Sequence, residues 1–284
     1  MRRRDEMTSS QTCIQRFIEE YSFRLVPETL SLYENSINQL LTFLAKPFQE
    51  VTKSDIRNWL QELGNKYKAN TVRTRLSGVK LFYKYCVEEE MMSNDPASSI
   101  PLPEVGESLP YYLQNNQLDQ VRNLLEGRLE ERAIIELLYA TGIRIGELGG
   151  IEKRDISWEE RFIHIRNAKR KKERIVPFTR LCEEHLKAYL DTREDELPFL
   201  FVNTTSTGPV LIRTVQSRLG KYAKKLGFRL TPHTLRHTFA AHLATKGMPF
   251  ECIQALLGHN TPDQSQMYAR LYSHARKEKY DEFV

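Results

Sequence analysis

Long apolar runs are missing from this 284-residue sequence. No stretch of about 18 apolar residues occurs, so no segment is expected to span a membrane. The start, MRRRDEMTSSQT, has arginines with no apolar stretch behind them and does not read as a secretory signal. Cysteine is scarce. The four present (Cys13, Cys86, Cys182, Cys252) form no CxxC and no close pair, which argues against a cysteine zinc site and for reduced thiols in the cytoplasm. Internal repeats and low-complexity tracts are also absent. Charge of one sign is in only small excess, +5 overall. Histidine is sparse too, yet three of the seven (His233, His237, His242) crowd with Arg236 into LTPHTLRHTFAAHLATKG, residues 230–247.

What is there fits a globular chain with room for two domains, each able to bury its own core. The basic residues are unevenly spread. Between Gly64 and Val87 stand Lys66, Lys68, Arg73, Arg75, Lys80 and Lys84 with no acidic residue. RNAKRKKERIVPFTR, residues 166–180, holds seven basic residues, among them Lys169, Arg170, Lys171 and Lys172, against the single Glu173. Two separated basic stretches in a nearly balanced chain suggest a surface facing phosphates, although each alone reads equally well as a solvated face.

The first hundred residues carry helical periodicity throughout. Pro27 suits a first helical turn, and Leu30, Tyr33, Ile37, Leu40, Leu41 and Leu44 follow at spacings of three and four. Thr52 and Asp55 stand in capping-box positions before Ile56, Trp59, Leu60 and Leu63. A third helix is expected from about Asn70 to Glu89, with Val72, Leu76, Val79, Tyr83 and Cys86 on its buried stripe. The segment 94–110, with four prolines, is a stiff linker by composition. Beyond it, ERAIIELLYATGIRIGEL reads as a helix broken at Thr141-Gly142 and restarted. RFIHIRN and ERIVPF alternate as the strands of a hairpin that lacks a turn glycine, and helices follow. The expected fold is therefore mainly α with a small β-hairpin or sheet in the C-terminal half. The expected domains are 1–100 (helical), 101–110 (linker) and 111–284.

Breaking and remaking a phosphodiester without metal needs fixed cations on the nonbridging oxygens, for which the forked arginine is best suited. It needs a nucleophile such as tyrosine, and a general acid such as lysine or histidine for the leaving sugar oxygen. YATGIRIGEL with Arg144, HTLRH with His233 and Arg236, LLGH with His259, and Tyr268 nine residues later supply that set in one order. In this ordered set the chain resembles the tyrosine recombinases, strongly over residues 110–275 and more weakly over the helical first half.

The resemblance implies a two-domain, C-shaped clamp on duplex DNA, working without metal, ATP or other cofactor. Arg144 and Arg236 would hold the scissile phosphate, His233 would assist proton transfer and His259 would hydrogen-bond the phosphate. Tyr268 would form a 3′-phosphotyrosine, with Tyr272 as its fallback. Lys169 aligns with the general acid, and Lys171 takes that place if the glycine-free turn has another shape. Glu147 would brace Arg144 or lie on the surface, His237 would support the site, and His242 would belong to the fold. The remaining basic residues named above, Lys66 to Lys84 and Arg170 to Lys172, would contact the DNA backbone. Protomers would bind inverted half-sites as dimers, synapse as tetramers and pass through a Holliday junction, the tail HARKEKYDEFV docking on a neighbouring subunit. The compact length points to transposon cointegrate resolution of the TnpI type, with Xer-type dimer resolution or small-element integration as alternatives. A zinc site at His233 and His237 lacks a third ligand and has Arg236 beside it. A catalytically silent DNA-binding regulator would not need the whole set, and a type IB topoisomerase would differ in layout.

Overall fold

The computed structural model describes residues 2–104, 110–166 and 173–258. The chain divides into two compact units, Met1–Gly106 and Glu107–Val284.

The first unit is helical: α1 (Arg2–Tyr21), α2 (Pro27–Leu44), α3 (Lys53–Lys66) and α4 (Ala69–Glu88). Pro27 occupies the first turn of α2, where its missing N–H costs nothing. At α3 the Thr52 hydroxyl accepts from the Asp55 N–H, while the Asp55 carboxylate accepts from the Thr52 N–H, a reciprocal cap that fixes the helix start. Ile14 and Phe17 of α1 enter a core with Ile37, Trp59, Leu76 and Phe82. Phe17 meets Phe82 edge-on, with ring centroids 5.6 Å apart. Helices α2 and α4 approach closely because position 78 is glycine: a Cβ there would lie 2.8 Å from the Tyr33 ring.

The proline-rich stretch from residue 94, linker-like in composition, begins as part of this unit. Asp95 Oδ1 accepts from the N–H groups of Ala97 and Ser98, and Ala97 and Ile100 are buried in the helical core. Proline-rich chain leaves its carbonyls without ladder partners. Lys80 of α4 fills that role, donating to Ala97, Ser98 and Ile100 carbonyls at 2.8, 2.9 and 2.6 Å.

The second unit runs α5 (Asn115–Leu124), α6 (Leu129–Thr141), α7 (Ile145–Leu148), β1 (Ile156–Ser157), β2 (Phe162–Ile165), β3 (Arg174–Pro177), α8 (Arg180–Leu190), α9 (Ile212–Leu226), α10 (Pro232–Thr245) and α11 (Phe250–Leu257). The hairpin strands pair antiparallel, Phe162 opposite Pro177 and Ile165 opposite Arg174, and the two-residue β1 adds an edge that the sequence did not signal. Helix α6 packs against α8 and α10 and is buried nearly all round, Ala133 to Leu138 inclusive. Its buried Glu136 takes Arg122 at 2.8 Å and Arg132 at 2.9 Å. The expected break is present: Gly142 ends α6 in the left-handed region at φ 60°. A Cβ there would also strike the Phe239 ring at 2.3 Å.

Candidate active site

Three helix ends meet in the second unit. Past Gly142, Arg144 becomes the N-cap of the one-turn α7, and its N–H donates to Glu147 Oε2 at 2.8 Å. Helix α10 starts at Thr231, whose hydroxyl accepts from the Thr234 N–H at 3.0 Å, with Pro232 at its first position. One turn in, Arg236 is buried. Helix α11 ends at Gly258, in the left-handed region at φ 61°.

Arginines converge on that end of α11. Arg174 Nε donates to the Leu256 carbonyl at 3.0 Å, Arg236 Nη2 to Leu257 at 2.7 Å, and Arg144 Nη2 to Gly258 at 2.9 Å. The last carbonyls of a helix have no partner within it and carry the negative end of its dipole, so cations gather there. Arg236 Nη1 also donates to the Gly142 carbonyl at 2.5 Å, tying the α6–α7 break to α10.

Glu147 lies inside this group. It is not a surface glutamate: its side chain is 8% exposed and accepts from Arg174 Nη1 at 2.9 Å and Nη2 at 2.7 Å. Burial alone would raise its carboxyl pKa, but the hydrogen bonds from Arg174 and the Arg144 N–H outweigh it and hold the group below the usual range. Two guanidinium groups meet this carboxylate and that of Arg236 reaches the same helix end, so the cluster carries an excess of fixed positive charge, the complement of an anion.

His233 is the second residue of α10 and is exposed, its ring 4.0 Å from that of His237. Partial desolvation by the surrounding protein, then the charges of Arg236 and Arg229, hold its imidazole below the ordinary value. The lowered value favours the neutral form, which is able to accept a proton. His242 is committed to the fold: Tyr139 Oη lies 3.0 Å from Nδ1 and the Leu113 carbonyl 3.0 Å from Nε2. A carbonyl only accepts, so Nε2 carries the proton and Nδ1 accepts from the tyrosine.

Arg144, Arg236 and Glu147 are therefore gathered, with His233 one turn before Arg236 on α10. Lys169, Arg170, Lys171, Lys172, His259, Tyr268, Tyr272 and the tail lie outside the described residues. His259 directly follows Gly258, the residue that Arg144 holds.

The comparisons with known proteins agree. Residues 112–275 match the Phage integrase family, and residues 13–92 match the phage integrase N-terminal SAM-like domain. The chain belongs to the phage integrase family. It is a tyrosine recombinase, an enzyme of site-specific recombination. It is 33% identical to the tyrosine recombinase XerC of Thermodesulfovibrio yellowstonii over 97% of each chain. Among solved structures it is similar to XerA recombinase, at 27% identity and TM-score 0.55 over 96% of this chain and 98% of that one. It shares its fold with the Tn1549 transposon integrase solved with transposon right end DNA, at 19% identity and TM-score 0.78 over 96% of this chain and 99% of that one.

In the recombinase's first unit the expected backbone-contacting cations differ in how far they are engaged. Lys66 pairs with Glu62 at 2.5 Å and Lys84 with Glu88 at 3.5 Å, both on the surface. Lys68 and Arg73 are exposed. Arg75 donates to Gln39 and lies over the Tyr67 ring at 4.0 Å. Lys80 departs from the expectation, its ammonium being taken by the three carbonyls of the 97–100 segment.

Two features leave no signal in the charge pattern. One is Arg174, counted in a basic run but turned inward by its place at the start of β3. The other is an open groove of about 640 Å³ between α2 and α4, lined by Asn35, Gln39, Asn70, Thr71, Thr74 and Arg75. Its amides and hydroxyls sit one turn apart on facing helices, a spacing that a search for charge does not register.

Proposed function

We propose that this tyrosine recombinase acts on duplex DNA as an Xer-type recombinase that resolves dimers of circular DNA. The observation that carries the chemistry is the gathering of Arg144 and Arg236, remote in sequence, at the end of α11 immediately before His259. Their excess charge suits the nonbridging oxygens of a scissile phosphate, where negative charge builds in the transition state. Tyr268 Oη attacks phosphorus and the bond to the 5′ oxygen breaks. Lys169, or Lys171 if the turn presents it, gives its proton to that oxygen, leaving a 3′-phosphotyrosine and a free 5′-hydroxyl. Neutral His233 takes the proton of the attacking phenol, and His259 donates to the phosphate. The phosphotyrosine keeps the bond energy, so the second strand end restores the backbone without ATP.

Recognition would fall to the groove between α2 and α4, since amide and guanidinium groups pair with base edges, with Lys66, Lys68, Arg73 and Lys84 on the phosphates around it. Each protomer would take one inverted half-site, two protomers a core site, and two core sites a tetramer exchanging strands through a Holliday junction. The full-length likeness to Xer recombinases at 31% and 33% identity favours dimer resolution.

Trapping on nicked suicide substrates tests the reading. The wild-type chain is expected to become covalently attached to the 3′ end of the cut strand, and Tyr268→Phe to lose attachment while still binding a half-site. Attachment by Tyr268→Phe at the wild-type rate would overturn it. Sequencing the attached ends identifies the site.

A further inference from the structure

Arg174 has no part in the chemistry just described, yet it is among the most enclosed arginines near the site, with its side chain 11% exposed. Its guanidinium is fully directed. Nη1 and Nη2 grip the two oxygens of Glu147 at 2.9 and 2.7 Å, and Nε reaches the Leu256 carbonyl at 3.0 Å. Gly258 leaves room for it, since a Cβ there would lie 3.0 Å from Arg174 Cδ.

Two arginines thus share one buried carboxylate, on unequal terms. Arg174 makes a bidentate fork, the strongest pairing open to a carboxylate. Arg144 reaches Glu147 Oε1 with Nη1 at only 3.4 Å. Its firm contact with Glu147 is through the backbone N–H at 2.8 Å, which orients α7 without engaging the guanidinium.

If Arg174 were absent, Glu147 would be a buried anion with a cation three residues away on the same turn. A buried carboxylate without a full partner is strongly unfavourable, so the Arg144 side chain would fold onto it. The guanidinium meant for phosphate would then be neutralised by its own chain.

We propose that Arg174 is a positioning residue that occupies Glu147 and so keeps the Arg144 guanidinium available to a phosphate. The proposal rests on the reading above that Arg144 binds the scissile phosphate. It predicts a rescue that a merely structural role would not give: removing the charge of Glu147 should repair a defect at Arg174.

The experiment compares wild type, Arg174→Lys, Glu147→Gln and the double variant on nicked half-site substrates, measuring half-site affinity and the rate of covalent attachment separately. A lysine has one point charge and cannot grip both oxygens and the Leu256 carbonyl together. Arg174→Lys is expected to attach about 10- to 100-fold more slowly, the range for a misplaced site group, with its half-site affinity within about threefold of wild type. The double variant is expected to recover to within about threefold of Glu147→Gln alone. Attachment by Arg174→Lys at the wild-type rate, or a double variant no faster than Arg174→Lys, would overturn the proposal.

A second readout needs no turnover: the rise in melting temperature produced by inorganic phosphate, with Arg144→Ala as the control. The rise is expected in wild type, absent in Arg144→Ala and Arg174→Lys, and restored in the double variant. A wild-type chain that never attaches to DNA defeats the recombination reading. In that event the phosphate series still decides the role of Arg174: a rise in Arg174→Lys equal to that of wild type overturns it.

Discussion

The buried guanidinium of Arg236 donates to the carbonyl of Gly142 at 2.5 Å, joining the middle of α10 to the break between α6 and α7. Through this bond the residue that ends one helix holds a side chain proposed to bind phosphate. Gly142 can do so because it turns the chain at φ 60° with no Cβ toward Phe239.

Gly142→Ala is therefore expected to destabilise the second unit. A non-glycine residue in the left-handed region costs about 1–3 kcal/mol, and the 2.3 Å approach to Phe239 adds to it. Urea unfolding should show the loss, and covalent attachment to DNA should weaken with it. A midpoint equal to that of wild type would contradict this account of the break.

Arg236→Lys keeps the charge and loses the fork. One ammonium cannot hold the carbonyls of Gly142 and Leu257 and also meet a phosphate. The attachment rate is expected to fall by about 10²–10³, the range for losing one fixed donor at a developing oxyanion, with half-site affinity little changed. Single-turnover trapping separates the two, and an unchanged rate would remove Arg236 from the proposed chemistry.

Glu136 is an ion-pair centre inside α6, 1% exposed, between Arg122 and Arg132. Glu136→Ala should cost about 3–5 kcal/mol, because two arginines lose a buried partner. Replacing all three together, Glu136→Leu with Arg122→Met and Arg132→Met, should return most of that stability. Denaturant titration decides it, and a triple variant as unstable as Glu136→Ala would refute the charge argument.

Partial desolvation by the surrounding protein lowers the pKa of His242, and of His233 and His185, below the ordinary 6.5. The unfolded chain then binds protons before the folded one does, so stability is retained above 6.5 and falls as pH drops from there toward the lower folded values. His242→Gln should flatten that fall, since a glutamine does not titrate. Melting temperatures from pH 7.5 down to about 5 test it, and an unaltered slope in the variant would clear His242 of the effect.

Much of the fold was legible in the sequence. The stripes of α2, α3 and α4, the Thr52–Asp55 cap, the break at Gly142 and the hairpin pairing are local features, set by capping chemistry and by periods of 3.6 and 2. The 94–104 segment was not legible as packed structure. Its proline content describes an extended chain, and composition does not say that Lys80, on another helix, will satisfy its carbonyls. The groove between α2 and α4 stayed hidden for a similar reason, being assembled from polar residues on two helices.

By itself the sequence determined the family and named Arg144, His233 and Arg236, because their motifs are short and ordered along the chain. Only the tertiary structure decided how the charges are apportioned. It paired Arg174 with Glu147, sent three guanidinium groups to consecutive carbonyls at the end of α11 and its cap, and gave His242 to Tyr139 and Leu113. A run of basic residues carries no mark of which one turns inward. That choice is made by the burial of a carboxylate and a helix end contributed by distant segments, neither of which may be left without a partner.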